Sequence, residues 1–91
     1  MEQETNVAVI VGATKTLKYK KENPNAEIEQ VINHILREVS GKKDIKISAV
    51  AGASKAFEIK EKNPNMSDKE IIQRVMGEIE ILLKNFVFEK D

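Results

Sequence analysis

The chain has 91 residues, and its 15 Lys and Arg balance 15 Asp and Glu for no formal net charge. A chain of this length hides only about two-thirds of its unfolded surface, so a single domain (residues 1–91) with a thin core is expected. A 41% hydrophobic, 33% charged composition excludes a disordered tail, and the absence of cysteine excludes disulfides and thiolate ligands.

Residues 6–39 align with residues 46–79 without a gap, and nine of the 34 pairs are identical. Gly12/Gly52, Lys15/Lys55, Lys20/Lys60, Glu38/Glu78 and both copies of Asn-Pro-Asn are among them. A fixed period of 40 points to a duplicated supersecondary unit, with repeat 1 near 6–41 and repeat 2 near 46–87.

The first element of each repeat is read as a helix, over 6–22 and 46–62. Val7–Val11 alone could form a strand, because β-branched residues suit the pleat. Its counterpart, Ile47–Ala51, is alanine-rich, and a duplicated segment should fold the same way twice. Positions 7, 10, 11, 14 and 17, and their counterparts, make one expected apolar stripe. The other side carries Ala8, Gly12 and Thr16, matched by Ser48, Gly52 and Ala56. Small residues four apart let two backbones approach closely, and a mid-helix glycine costs about 1 kcal/mol relative to alanine. These six residues are therefore expected to form a close contact between the first and third helices. The competing structure is a βα-βα chain with paired strands at 7–11 and 46–50.

Asn23-Pro24-Asn25 and Asn63-Pro64-Asn65 stop these helices, since proline biases the preceding residue away from helical geometry. A second helix follows over 26–40, with Ile28, Val31, Ile32, Ile35, Leu36 and Val39 on one face. Asn25 is its expected cap. Gly41, which readily takes a left-handed turn, closes the unit. The fourth helix is expected over 68–87, capped by Ser67 with Glu70 at capping-box spacing. The fold class is thus all-α, with two tandem αα-hairpins closing as a pseudo-twofold four-helix bundle. Two hairpins are too few for a solenoid.

Sites for chemistry are sparse. Gly12-Ala-Thr-Lys15 and Gly52-Ala-Ser-Lys55 lack the first glycine and the Lys-Ser/Thr order of a phosphate-binding loop. His34 is the only histidine, and no nucleophile or carboxylate stands at motif spacing to it. No metal-ligand pattern is present, so no catalytic residue, cofactor or metal is expected. Lys15 and Glu38, with their counterparts Lys55 and Glu78, are placed by a hairpin to form interhelical ion pairs.

Residues 79–88 hold a surplus of apolar side chains with no counterpart in repeat 1. They either wrap over the hairpin pair and cap its core or contact another chain; Leu82, Leu83, Phe86, Val87 and Phe88 are the candidate interface, because aromatic anchors carry interface energy. The expected function is non-enzymatic: a homodimer, or a protein that binds another protein. The alternative is a helical nucleic-acid binder using Lys15, Lys18, Lys20, Lys55 and Lys60 of the first helices. Residues 7–23 carry +3 and residues 46–62 carry +2, but residues 25–41 carry −2 and the chain has only two Arg. That alternation suits complementarity between helices better than a phosphate footprint. Val7–Val11, the longest apolar run, is too short to span a membrane. Glu2 and Glu4 stand where a signal peptide would be basic, so a cytoplasmic protein is expected.

Overall fold

Helix follows helix in the computed structural model, which describes residues 2–85. The elements are α1 (Glu2–Glu22), α2 (Ile28–Glu38), α3 (Lys43–Lys62), α4 (Asp68–Gly77) and α5 (Ile79–Asn85). No strand occurs among the described residues, so Val7–Val11 and Lys46–Val50 are helical.

α1 and α3 form the centre of the molecule, and their closest meeting is at the two duplicated glycines. A Cβ added at Gly12 would overlap the Ala49 carbonyl and stand 2.8 Å from the Ala49 Cα. A Cβ added at Gly52 would stand 2.7 Å from the Val9 carbonyl carbon and 3.0 Å from the Val9 Cα. Backbone therefore lies directly on backbone. Lys20, near the end of α1, reaches Phe57 and Glu61 near the end of α3, so the two helices run in the same direction.

This contact changes which face of α1 is buried. The expected stripe through Val7, Ile10 and Thr14 is not the core face: Val7 is 57% exposed and Thr14 is exposed. Ala8, Val9, Gly12, Ala13, Thr16 and Leu17 are buried instead. In α3 the buried set is mostly small, with Ser48, Ala49, Ala51, Gly52, Ala53 and Ala56 alongside Ile59. Bulk sits outside because the glycine contact leaves no room for it between the helices.

The flanking helices close the two sides. Val31, Ile35 and Val39 of the second unit element pack with Ala49 and Ala53, and Ile71 and Val75 pack with Val9, Ala13 and Leu17. Each short helix thus covers the central helix of the other repeat. Burying such side chains is worth about 1.5–3 kcal/mol each. Thr16 is an exception within this core. It is fully buried, and its Oγ1 has no hydrogen-bond partner, whereas its counterpart Ala56 has no polar atom to satisfy.

The helix ends follow from local chemistry. Ser67 accepts from the Glu70 backbone N–H while the Glu70 carboxylate accepts from the Ser67 backbone N–H, closing the expected capping box. α2 does not begin at Asn25. Glu27 caps it, with its side chain on the third N–H and Gln30 Oε1 accepting from the Glu27 N–H at 2.9 Å. Glu27 and Gln30 are the counterparts of Ser67 and Glu70, so the cap sits at one place in both copies. Gly41 has φ +131°, a conformation that disfavours any side chain, and it ends the first hairpin.

A single fourth helix over 68–87 is not what forms. Gly77 ends α4 and Glu78 is a turn, with its N–H donating to the Met76 and Val75 carbonyls. A new helix, α5, then folds back against α3 and α4. Glycine at the end of a helix costs the helix propensity there, and the break lets Leu82 reach the core. Phe86, Val87 and Phe88 lie outside the described residues.

Candidate functional site

The duplicated charges fall into matched contacts. Lys15 Nζ lies 3.8 Å from Glu38 Oε1, and Lys55 Nζ lies 3.3 Å from Glu78 Oε1. Lys55 also meets Glu58 at 3.5 Å, and Lys62 donates to Glu58 at 3.1 Å. Burial works against the Lys55 charge, but the carboxylates of Glu78 and Glu58 outweigh it and raise its pKa above the ordinary lysine value. The hydrogen bond from Lys62, with the charge of Lys55, holds the Glu58 carboxyl below its ordinary value.

Lys20 and Lys60 are built into the turns that follow them. Lys20 donates to the Pro24 carbonyl at 2.8 Å and to the Ala26 carbonyl at 3.2 Å. Lys60 donates to the Met66 carbonyl at 3.3 Å, the position equivalent to Ala26. The asparagines do the same work from the other side: Asn23 donates to the Tyr19 carbonyl and Asn63 to the Ile59 carbonyl. Lys20 also lies 3.1 Å from Glu61 and 5.0 Å from the centre of the Phe57 ring, with a side chain only 9% exposed. Lysine before Asn-Pro-Asn is thus a turn lock, and the sequence signal for it was the identity of both residues in both copies.

Of the five lysines considered for nucleic acid, four are therefore engaged within the chain. Lys18 is exposed and has no ion-pair partner among the described residues. It borders a cleft of about 180 Å³ lined also by Lys15, Tyr19, Glu22, His34 and Glu38. Tyr19 and His34 stack there, with ring centres 4.3 Å apart and planes at 25°. Stacking between α1 and α2 accounts for the half-buried state of His34, a contact that its spacing in the sequence does not reveal. A second cleft, of about 250 Å³, separates the two Asn-Pro-Asn turns, and of its lysines Lys20 pairs with Glu61, Lys21 pairs with Asp68 and Lys60 donates to the Met66 carbonyl.

The apolar surface is organised differently. Among the described residues, Val7, Leu36, Met76 and Ile81 are the large apolar side chains left open, at 57%, 40%, 51% and 57% exposure. Of the candidate interface residues, Leu82 is buried and belongs to the core cluster with Val9, Ile71 and Val75. Leu83 packs against that cluster from outside. These two leucines therefore cap the core of their own chain, and Phe86, Val87 and Phe88 of the candidate interface lie outside the described residues. Val7 lies at the mouth of a groove of about 290 Å³, whose apolar walls are Val7, Ala8, Val11, Val39 and Ile45.

No group of three or more His, Asp or Glu that could hold a metal occurs among the described residues. No helix among them is long and apolar enough to cross a membrane. No protein-family model, curated protein or solved structure matches this chain.

Proposed function

We propose that this protein acts without catalysis, by associating with a second copy of itself, and that the two repeats form a pseudo-twofold bundle from which the C-terminal residues extend the contact. The observation that carries this reading is the apolar surplus beside an already completed core. Leu82 and Leu83 finish that core, yet Phe86, Val87 and Phe88 follow them in the sequence. Ile81 and Val7 stand open as well, Val7 beside a groove lined by the start of α1, the end of α2 and Ile45 of α3. Fully burying a side chain of this size is worth about 1.5–3 kcal/mol, and burying three on each of two chains works against an association cost of about 4–15 kcal/mol. A twofold partner covers such a patch with its own copy of it.

The pseudo-twofold relation is supported by the contacts that recur forty residues apart, at Gly12/Gly52, Lys15/Lys55, Lys20/Lys60 and Asn23/Asn63. The engagement of Lys15, Lys20, Lys55 and Lys60 within the chain supports this reading over the nucleic-acid one. Replacing Phe86 and Phe88 by serine tests the proposal. The variant is expected to keep its helicity and lose its dimer mass. A variant that keeps both would show that these residues hold no interface.

A further inference from the structure

The cleft between the two Asn-Pro-Asn turns has charges that do not cancel. Its apolar walls are Leu17, Pro24 and Pro64, and its polar side chains are three lysines and two carboxylates. Lys20 lies 3.1 Å from Glu61 and Lys21 lies 3.2 Å from Asp68, which leaves Lys60 as the cation over. Among the described residues Lys60 has no carboxylate partner; its Nζ donates to the Met66 carbonyl at 3.3 Å. The duplication accounts for the imbalance. Lys20 and Lys60 are counterparts, and each donates to the carbonyl at the equivalent turn position, Ala26 or Met66. The carboxylate beside Lys20 belongs to Glu61, whose own counterpart is Lys21. Where the first lysine meets an acid of the other repeat, the second therefore has a lysine at the corresponding position. The cleft is one carboxylate short.

Independently of self-association, we propose that this cleft binds a small organic carboxylate with an apolar body. An ammonium group has three donors, and Met66 uses one, so Lys60 keeps two for the oxygens of a carboxylate. Lys60 is half-buried, and salt screens a charge there less than it screens one in open solvent. A single surplus positive charge matches a single negative one, which favours a monoanion. Pro24, Pro64 and the buried Leu17 offer apolar surface that a bare inorganic ion cannot use. Size points the same way. A cavity of about 150 Å³ takes benzene, so a cleft of about 250 Å³ has room for a ring with a carboxylate arm.

Phenylacetate is the probe, compared with its neutral amide, phenylacetamide, and with inorganic phosphate. In amide correlation spectra of the full chain, phenylacetate is expected to shift Lys21, Lys60 and Glu61 saturably, with a millimolar Kd. Phenylacetamide and phosphate are expected to leave them in place. Lys60→Met keeps the stem, removes the charge and is expected to weaken phenylacetate at least about tenfold. Because Lys60 also holds its turn, two substitutions at more open positions ask the same of a chain that keeps its fold. Their side chains, Lys21 and Asp68, are 74% and 40% exposed. Lys21→Gln takes a positive charge from the cleft and should weaken binding, whereas Asp68→Asn takes a negative one and should strengthen it. Equal binding of phenylacetate and phenylacetamide would overturn the proposal, because charge would then play no part. Phosphate bound as tightly as phenylacetate would overturn it too, since the apolar walls would then select nothing. So would an affinity that neither Lys21→Gln nor Asp68→Asn moves, or the lack of any saturable shift at the cleft.

Discussion

Replacing Gly52 by alanine is expected to destabilise the protein, although the same change in an ordinary helix stabilises it by about 1 kcal/mol. The added Cβ would stand 2.7 Å from the Val9 carbonyl carbon and 3.0 Å from its Cα, both of them backbone atoms that cannot turn aside. Ordinary carbon contacts lie at about 3.5–4.0 Å, so α1 and α3 must separate by nearly an ångström along their whole contact. Overpacking of this kind typically costs about 1–3 kcal/mol, and the rigid partner puts Gly52→Ala toward the upper end. For a chain of this size about 2 kcal/mol corresponds to a fall in Tm of about 8–16 °C. Gly12→Ala should behave alike, since its Cβ would meet Ala49. Combining the two should cost less than their sum, because the first substitution has already moved the helices apart. Gly77→Ala is the control, for nothing lies within 4 Å of its added Cβ, and it should be neutral or mildly stabilising. Thermal and urea unfolding by circular dichroism measure all four. If Gly52→Ala melts at or above the wild-type temperature, the backbone contact does not exist and the central helix pair must be abandoned.

Thr16→Val keeps the shape of the side chain and removes a buried hydroxyl without a partner. It should raise stability by about 1 kcal/mol in urea unfolding, and a loss would mean that Oγ1 is satisfied after all. Lys20→Ala removes two hydrogen bonds to the turn and the pair with Glu61, and should cost about 2 kcal/mol. The neighbouring Lys18→Ala should stay within about 0.5 kcal/mol, and equal effects in the two would refute the turn lock. The Glu58 carboxyl is held below its ordinary value of 4.5 by the hydrogen bond from Lys62 and the charge of Lys55. Its contribution is therefore present above that pH and lost as pH falls through the folded value. Because Glu58 is half-exposed, Glu58→Gln should cost only a few tenths of a kcal/mol at neutral pH, and that difference should shrink as pH falls below 4.5. A difference that grows on acidification would reverse the sign of the argument.

The all-helical architecture was legible because two copies of the pattern could be read against each other. The strand-like Val7–Val11 was resolved by its alanine-rich counterpart, and the apolar faces of α2 and α4 follow their spacing directly. What misled was the assumption that bulk marks the core face of α1. Where two glycines let backbones touch, the buried face is the one with the least bulk, and Val7 is left outside. The cap of α2 was missed because glutamate is an uncommon cap, although Gln30 three residues on was the available signal. The break at Glu78 could be suspected only from Gly77, a residue that the first repeat replaces by Arg37. The turn locks at Lys20 and Lys60 show as identities in the alignment, but their role depends on carbonyls whose direction no sequence pattern carries. The Tyr19–His34 stack joins two helices through a contact that has no counterpart in repeat 2, where the same positions are Ile59 and Arg74, so duplication offered no second copy to compare.

Self-association is the claim on which the functional account depends, and sedimentation equilibrium of the full chain from about 1 μM to about 1 mM tests it most directly. The account predicts a mass that rises from one chain to two across that range, with the midpoint in the micromolar decades and no species beyond the dimer. A single-chain mass at every concentration would contradict it, and the C-terminal residues would then belong to the core of one molecule.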